Sequence, residues 1–237
     1  MPPSHDSTHP AAPVPDELKL VVFDLAGTTV KDRGQVTDAF TAALREHDIR
    51  VTPEQLSSVR GSSKRQAVLS FIPEVPERES RAELVYTSFR KHLTARYASE
   101  GIEPVDGAEQ IFRWLRGLGV RVALNTGFDR DITGQLLKAL RWEEGLVDAV
   151  VCGDEVRQGR PAPYLIFHAM EATRTTSVHA VANVGDTTLD LVAGHNAGVR
   201  WNVGVLSGAH NRQLLEQAPH THLLHSIKEL PRLWHAD

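Results

Sequence analysis

The chain has 237 residues, a length that fits one large domain or one domain carrying an insertion. Hydrophobic residues make up 41% of it and charged residues 24%, which is typical of an ordinary soluble globular protein. A formal net charge of -4 favours no nucleic-acid surface, and no apolar run approaches the roughly 18 residues that span a bilayer. Cys152 is the only cysteine, which excludes an intrachain disulfide and favours a reducing compartment. We therefore expect a cytoplasmic protein whose partners include neither nucleic acid nor a membrane.

The first 17 residues contain five prolines and almost no bulky apolar side chains. Such a segment buries too little apolar surface to offset the entropy that it would lose on ordering. We predict a disordered leader over residues 1–17. It has neither the basic start nor the apolar centre of a secretory signal.

A short apolar run, residues 18–23, ends abruptly in Asp24 and is followed by a Gly-Thr-Thr turn. The run predicts a buried parallel strand, and Asp24 would then stand at the carboxyl edge of a sheet. Open α/β sheets bind their ligands at that edge, so Asp24 is the first candidate for a chemical role. On this stretch alone, an aspartate that only caps the following turn explains the pattern equally well.

Helical patterns without an intervening strand occupy residues 34–104. In the first of them, Val36, Phe40 and Leu44 recur at helical spacing. The predicted helices cover residues 35–47, a segment that begins at Pro53, a segment that ends at residue 72, and residues 79–97. This pattern predicts a small helical domain inserted after the first strand.

From residue 105 onward, predicted strands and helices alternate. The predicted strands cover residues 120–126, 148–152, 180–184 and 201–205. Repeated βα units imply a doubly wound, mostly parallel sheet with right-handed crossovers. The predicted fold class is therefore α/β, with the sheet domain formed by residues 18–33 and 105–237.

Polar groups follow the ends of the predicted strands, and in a doubly wound sheet these ends share one edge. The groups are Asp24, Thr126 with Gly127, the Arg160 loop, and Asp186 with Asp190. Buried carboxylates repel one another unless a hard cation, with Mg²⁺ as the first choice, lies among them. Arg160 would neutralise a phosphoryl group whose oxygens Thr126 and the Gly127 N–H bind. Asp24 could then attack phosphorus and become an aspartyl phosphate.

Four motifs in this order resemble those of the haloacid dehalogenase (HAD) superfamily. They are Asp24-Leu-Ala26-Gly-Thr-Thr, a Thr-Gly pair after a strand, Gly-Arg160-Pro-Ala-Pro, and Gly-Asp186-Thr-Thr-x-Asp190. The resemblance covers nearly all of residues 18–210 and implies a Rossmann-like core with an α-helical cap over residues 34–104. It also implies a nucleophile at Asp24 and a Mg²⁺ ion bound by Asp24, the Ala26 carbonyl oxygen and Asp186, with help from Asp190.

Two departures from the common pattern of the superfamily concern the substrate. Most of its phosphatases carry an aspartate that protonates the leaving oxygen where this chain has Ala26, and general acid catalysis is worth ~10²–10⁴-fold. Arg160 replaces the usual lysine of the third motif and keeps its charge permanently. Both features resemble the phosphonatase branch. There, a cap lysine forms a Schiff base with an aldehyde, and the imine accepts electrons from the breaking carbon–phosphorus bond.

Lys64 matches that cap lysine. It must be neutral to attack a carbonyl, and the neighbouring Arg60 and Arg65 would lower its pKa from ~10.4 if their side chains converge. Arg60 is also a candidate for binding substrate. A solvated Lys64, or one that only binds a substrate anion, remains open. A histidine and a cysteine of the phosphonatase pattern fall at Ala67 and Gly34 here.

Three functions are therefore open. The first is Mg²⁺-dependent carbon–phosphorus hydrolysis of a small phosphonate such as phosphonoacetaldehyde, through an aspartyl phosphate. The second is hydrolysis of a small phosphate monoester of the phosphoglycolate type. The third is a non-catalytic phosphate-binding regulatory protein, against which Asp24 argues because a pure binder needs no nucleophile. Phosphonatases often pair through the cap, so the resemblance also leaves a homodimer open.

Overall fold

A sheet of six parallel strands forms the centre of the molecule. The computed structural model describes residues 14–142 and 145–234. The strands are β1 (Leu20–Asp24), β2 (Arg121–Asn125), β3 (Ala149–Val151), β4 (Val181–Gly185), β5 (Trp201–Val205) and β6 (His222–Leu224). Their spatial order is β3-β2-β1-β4-β5-β6, so the direction of winding reverses between β1 and β4.

The middle strands are covered on both faces. Every residue of β1, β4 and β5 is buried, as expected for parallel strands between two layers of helices. Along β1, Val21 and Phe23 belong to one hydrophobic cluster, whereas Leu20 and Val22 belong to the other. This alternation explains why the sequence of the first strand is a continuous apolar run.

The register of the sheet places the first motif beside the last. Asp24 lies opposite Asn125 of β2, and Phe23 lies opposite Val184 of β4. Asp186 follows β4 directly, so its carboxylate and that of Asp24 emerge at the point where the strand order reverses. Crevices at such switch points are the usual ligand sites of open α/β sheets.

Helices of the core pack on both faces of the sheet. They are α5 (Ala108–Gly117), α6 (Arg130–Leu140), α7 (Tyr164–Thr173), α8 (Thr188–Ala197), α9 (Arg212–Leu215) and α10 (Leu230–Leu233). Ile111, Phe112 and Leu115 of α5 join one hydrophobic cluster, and Leu165 and Ile166 of α7 join the other. The helices thus hold the strands in place from both sides.

Of the described helices between β1 and β2, the first four form the insertion. They are α1 (Gln35–Glu46), α2 (Pro53–Ser58), α3 (Lys64–Phe71) and α4 (Arg78–Glu100). Phe40 of α1 packs edge-on against Phe89 of α4 with 5.7 Å between ring centroids, and Phe71 of α3 lies 6.4 Å from Phe40. These aromatic contacts tie three of the four helices together.

The two segments that join the insertion to the sheet run side by side. The Lys31 N–H donates to the Glu103 carbonyl (2.9 Å), and the Val105 N–H donates to the Thr29 carbonyl (2.8 Å). The insertion therefore leaves and re-enters the core through one narrow, hydrogen-bonded connection. We call α1 to α4 and the loops between them the cap.

The predicted fold class is confirmed. The predicted strands and helices differ from the observed ones mainly at their ends, and the short helices α9 and α10 were not predicted. The third strand is one residue shorter at each end than predicted. The Asp148 carboxylate before it accepts the Val122 N–H of β2 (2.9 Å), and the Cys152 N–H after it donates to the Glu155 carboxylate (2.7 Å). Helix α4 runs three residues further than predicted, to Glu100, whose carboxylate bonds Arg96 one turn earlier (3.0 Å).

Residues 1–13 of the predicted leader lie outside the described residues. Of the described remainder, Val14 packs against the core and Glu17 lies 3.7 Å from Arg200. The domain boundaries at residues 34 and 104 stay a prediction. None of the helices in the described part of the chain is both long and apolar enough to cross a membrane.

Candidate active site

A cavity of about 60 Å³ lies between the carboxyl edge of the sheet and the cap. Its charged lining residues are Asp24, Asp32, Arg60, Lys64, Arg160 and Asp186. An apolar wall completes it, formed by Val36, Phe40, Leu56, Val59 and Phe128. The cavity therefore combines a charged end on the sheet with a largely apolar end under the cap, a composition that suits a small ligand with one anionic group.

Asp24 is 6% exposed and stands at the sheet end of the cavity. Its Oδ1 atom lies 2.8 Å from Nη1 of Arg160, and the Thr29 hydroxyl fixes the strand end by donating to the Asp24 carbonyl (2.9 Å). Burial raises the pKa of Asp24 well above its ordinary value. Arg160 opposes this rise, but Asp190 and Asp186 add to it, because three buried carboxylates share one guanidinium.

Asp186 is held by donors from two loops. The Thr28 hydroxyl donates to its Oδ1 atom (3.0 Å), and the Ala209 N–H donates to Oδ2 (2.6 Å). A Cβ atom on Gly27 or Gly208 would overlap the carboxylate, so both loops can close around it only with glycine at these positions. Burial raises the pKa of Asp186 to about 7, and repulsion from Asp190 adds to the rise.

Asp190 contacts Arg160 and the start of α8. Its Oδ1 atom pairs with Nε of Arg160 (2.9 Å), while its Oδ2 atom accepts the Thr187 N–H (3.0 Å) and the Thr187 hydroxyl (2.5 Å). Thr187 in turn accepts the Asp190 N–H, which completes a capping box at the start of α8. Both oxygens of Asp190 thus have protein partners, and its charge acts on the site through Arg160.

The donor set fits a hard divalent cation. Carboxylate oxygens of Asp24, Asp186 and Asp190 lie within 4.8 Å of one another, and all three residues are buried. Among the described residues, no N–H or O–H group donates to the Ala26 carbonyl oxygen, which also lines the cavity. An all-oxygen set with excess negative charge suits Mg²⁺. Direct coordination by Asp24, Ala26 and Asp186, with Asp190 as a supporting charge, stays a prediction.

Arg160 connects the sheet to the cap. Besides Asp24 and Asp190, it donates to the Gly61 carbonyl of the cap (3.1 Å) and to Asn125 at the end of β2 (3.2 Å to the backbone carbonyl). Burial alone would lower the pKa of Arg160, but the neighbouring carboxylates outweigh it and raise that pKa. The guanidinium is therefore a permanent cation that fixes the position of the Asp24 carboxylate.

Arg160→Met is expected to lower the free energy of unfolding by about 3–5 kcal/mol, because it leaves buried carboxylates without their cation. Urea unfolding in EDTA measures this, since a divalent cation would mask the effect. The matched control is Arg33→Met, which removes an exposed ion pair with Glu103 and should cost less than about 1 kcal/mol. Equal losses in the two variants would contradict the assigned role of Arg160.

The loop after β2 supplies hydrogen-bond donors. Thr126 is buried, and its hydroxyl accepts the Phe128 N–H (3.2 Å), which fixes the turn. Within the described part of the chain, the Gly127 N–H has no hydrogen-bond acceptor, although Gly127 lines the cavity. A Cβ atom on Gly127 would overlap the Ser62 carbonyl of the cap. An unused N–H next to a buried hydroxyl is suited to binding a phosphoryl oxygen.

Lys64 points a buried amine into the same cavity. It is 8% exposed, and its only hydrogen bond within the described residues runs from Nζ to the Ser62 carbonyl (3.2 Å). Burial lowers its pKa to about 8, an effect that Asp24 partly opposes and Arg160 reinforces. The predicted influence of Arg60 is present but smaller, and Arg65 is engaged instead by Glu79 and Glu83 at the surface.

The cap loop before Lys64 is docked closely on the core. The Arg60 Nη1 atom donates to the Ala209 carbonyl (3.0 Å), and the Gly61 carbonyl accepts from Arg160 (3.1 Å). Gly61 has a φ of +82°, and a Cβ atom there would overlap the Thr187 hydroxyl. Glycine at position 61 thus allows the close approach of the loop that precedes Lys64, which lines the same cavity as Asp24.

Gly61→Ala is expected to lower kcat/KM about 10²-fold, because it forces the loop away from Thr187 and displaces Lys64. Steady-state kinetics measures the loss. Gly119→Ala is the matched control: Gly119 has a similar φ of +76° but open space around it, so its variant carries the backbone strain without the displacement. The role assigned to the close approach would be refuted by equal activities in the two variants.

Sequence reasoning placed most of this site and missed part of it. The predicted residues that line the cavity are Asp24, Ala26, Arg60, Lys64, Thr126, Gly127, Arg160 and Asp186. Three residues that the sequence did not single out for a role are Thr28, Asp32 and Asn125. Asn125 precedes Thr126 at a strand end, so the same strand-end argument could have found it. The chemical roles of the lining residues stay predictions.

Comparison with known proteins agrees with this geometry. Residues 21–203 match the family model of the haloacid dehalogenase-like hydrolases. A phosphonoacetaldehyde hydrolase from Parabacteroides distasonis is 32% identical over 217 residues, covering 85% of this chain and 81% of that protein.

Two solved structures share the fold. A hydrolase from Pseudomonas syringae superposes with a TM-score of 0.81 at 21% identity, covering 92% of this chain and 99% of the other. A phosphonoacetaldehyde hydrolase-like protein from Oleispira antarctica superposes with a TM-score of 0.79 at 21% identity, covering 95% of this chain and 92% of the other. The chain belongs to the haloacid dehalogenase-like hydrolases and is a phosphonatase-like enzyme of that superfamily.

Proposed function

We propose that the enzyme hydrolyses the carbon–phosphorus bond of a small phosphonate bearing a carbonyl group, such as phosphonoacetaldehyde. The observation that carries this proposal is the buried amine of Lys64, whose lowered pKa and position in the Asp24 cavity suit attack on a carbonyl. The similarity to a phosphonoacetaldehyde hydrolase supports the same substrate class.

The sheet end of the cavity would bind the phosphoryl group. The Thr126 hydroxyl and the Gly127 N–H offer donors to its oxygens, and Arg160 orients the Asp24 carboxylate through Oδ1, leaving Oδ2 for attack. A Mg²⁺ ion held by Asp24, Asp186 and the Ala26 carbonyl would neutralise charge on the phosphoryl oxygens. Asp24 then takes the phosphoryl group as an aspartyl phosphate, which water hydrolyses.

The cap end would activate the carbon. With a pKa of about 8, about one Lys64 in ten is neutral at pH 7, against about one in 3,000 at its ordinary pKa of 10.5. The neutral amine attacks the carbonyl carbon, and the oxygen takes one proton from the nitrogen and one from the medium. It then leaves as water, and a protonated imine remains. When the carbon–phosphorus bond breaks, its electron pair moves into the imine and leaves an enamine on Lys64.

This route explains why the site works without an acid at position 26. An oxygen leaving group would need a proton, and the Ala26 methyl group cannot supply one. A carbon leaving group that departs as an enamine takes no proton at that step. Ala26 therefore favours carbon–phosphorus hydrolysis over hydrolysis of a phosphate monoester.

Reductive trapping tests the proposal. Wild-type enzyme is incubated with phosphonoacetaldehyde, Mg²⁺ and borohydride, and its peptides are analysed by mass spectrometry. We expect an ethyl or phosphonoethyl group on Lys64 and no adduct at that position in Lys64→Arg. No adduct in the wild type, together with Mg²⁺-dependent phosphate release from phosphate esters, would identify a phosphatase instead. No activity in either assay would refute the proposed substrate class.

A further inference from the structure

Asp32 places a carboxylate in the cavity that the steps above do not use. Its Oδ1 atom accepts the N–H groups of Gly34 (3.0 Å) and Val36 (3.3 Å) at the start of α1. Within the described residues, no group donates to the Oδ2 atom of Asp32. One oxygen thus fixes the side chain to the backbone, and the other is available to a ligand.

Imine formation needs a proton carrier. The Lys64 ammonium loses two of its three protons, and both leave on the former carbonyl oxygen as part of a water molecule. A group that accepts a proton from nitrogen and returns it to oxygen therefore accelerates both the attack and the dehydration. Such a carrier ends the sequence in the protonation state in which it began.

Few groups in the cavity can act as this proton carrier. The steps above already use the free Oδ2 atom of Asp24 for attack on phosphorus, while Arg160 holds its Oδ1 atom, and both oxygens of Asp186 accept hydrogen bonds, from Thr28 and Ala209. The guanidinium groups that line the cavity cannot release a proton near neutral pH.

Among the described residues that line the cavity, those of the cap contribute neither a carboxylate nor an imidazole. Ala67, one turn after Lys64 in α3, carries only a methyl group. The Ser62 hydroxyl donates to the Val59 carbonyl (2.6 Å). Asp32 is the remaining carboxylate of the cavity lining.

We propose that the Asp32 carboxylate carries protons between the Lys64 nitrogen and the carbonyl oxygen of the substrate during imine formation. Asp32 takes a first proton from the Lys64 ammonium, the freed amine forms a bond to the carbonyl carbon, and Asp32 gives this proton to the resulting alkoxide. Asp32 then takes a second proton from the nitrogen of the adduct and gives it to the hydroxyl group. The carbon–oxygen bond breaks, water leaves, and the protonated imine remains. Asp32 and Lys64 both line the cavity, so a ligand there can reach both side chains. This inference rests on the proposed function.

Asp32→Asn tests the proposal without removing the structural contacts of the side chain. The asparagine carbonyl oxygen can still accept the Gly34 and Val36 N–H groups, whereas the amide cannot carry a proton. We expect the rate of reductive trapping of phosphonoacetaldehyde on Lys64 to fall about 10²-fold or more. Added formate, a small carboxylate, should restore part of that rate.

Two further variants separate proton transfer from structure. Asp38→Asn removes an exposed carboxylate within α1 that pairs with Arg96 (3.3 Å). In this variant, phosphonoacetaldehyde should be trapped on Lys64 at the wild-type rate. Asp32→Ala also loses the hydrogen bonds that the side chain accepts from the Gly34 and Val36 N–H groups at the start of α1, so it should melt at a lower temperature than Asp32→Asn. Formate should raise the trapping rate in Asp32→Asn and leave that of Asp38→Asn unchanged.

The outcomes are distinct. Trapping in Asp32→Asn at the wild-type rate would overturn the proposal while leaving the proposed function intact. A slow Asp32→Asn variant that formate does not restore would also overturn it, since a purely structural role predicts this result. If the wild-type enzyme forms no adduct, the proposed function fails and the role of Asp32 fails with it.

Discussion

Asp24→Asn is expected to abolish turnover, with a loss of at least ~10⁴-fold, because an amide cannot form an acyl phosphate. The substitution hardly changes side-chain size, and Arg160 keeps its contacts with Asp190, Gly61 and Asn125. Phosphate release from phosphonoacetaldehyde measures the loss. Beryllium fluoride, which mimics the acyl phosphate, should raise the melting temperature of the Mg²⁺-loaded wild type and leave that of Asp24→Asn unchanged.

For the same variant we expect no loss of stability, in contrast to its loss of activity. Because the folded-state pKa of Asp24 is raised, the folded protein holds its proton more tightly than the unfolded chain does. Stability without divalent ions therefore falls as the pH rises from the ordinary value of 3.8 through the raised pKa. The substitution removes this contribution, so in EDTA at neutral pH Asp24→Asn should be at least as stable as the wild type.

A large loss of stability in Asp24→Asn would show instead that the carboxylate is chiefly structural. Retained turnover would remove Asp24 as the nucleophile. The expected combination, an inactive enzyme with a stable fold, is typical of sites whose charges are arranged for binding rather than for stability. Arg160 is the exception in this site, since it serves both purposes.

The cap is fastened to the core at a second place, away from the cavity. The Tyr86 hydroxyl of α4 donates to the Asp129 carboxylate (2.7 Å), and Arg90 lies 3.2 Å from the same oxygen. The other oxygen of Asp129 accepts the Ile132 N–H (2.8 Å) and caps α6, the helix that follows the Thr126 loop. One carboxylate thus links the cap to the segment that carries Thr126 and Gly127.

The fold and the sheet end of the site follow from local patterns. Asp24 and Asp186 each come directly after an apolar run that is buried on both faces, and parallel strands bring such ends to one edge. Thr126 and Arg160 follow from the same argument. These predictions needed only the position of polar residues relative to predicted strands.

The cap end of the site could not be predicted in this way. The stretch around Lys64 is polar and begins a short helix, a pattern typical of an exposed surface. Its burial depends on contacts of the preceding loop with Thr187 and Gly127, which are remote in sequence. Asp32 stands between Lys31 and Arg33, so its sequence environment indicates an exposed turn rather than a cavity wall. Depth within a fold is a property of packing that local composition does not encode.

Lys64→Arg is expected to lower kcat on phosphonoacetaldehyde at least ~10³-fold. Arginine keeps the positive charge, but its guanidinium does not form an imine with the substrate. If Lys64 served only to bind the substrate anion, the arginine variant would retain most of its activity. Lys91→Arg, an exposed substitution on α4, is the matched control and should be fully active.

The pH dependence of the wild type provides an independent check of the state of Lys64. In the proposed route the reacting amine is neutral, so kcat/KM should rise with pH and level off above about 8, the lowered pKa of this residue.

The free energy of unfolding should depend on the same amine. The folded state prefers the neutral amine, so between about 8 and 10.5 the free energy of unfolding rises with pH. Lys64→Met should remove this rise, because no proton is then exchanged at that position. A rise of equal size in wild type and Lys64→Met would mean that another group titrates.

A flat kcat/KM profile would contradict the neutral amine. A profile that levels off near 8 would show that the burial of Lys64 sets the pH range in which its amine reacts.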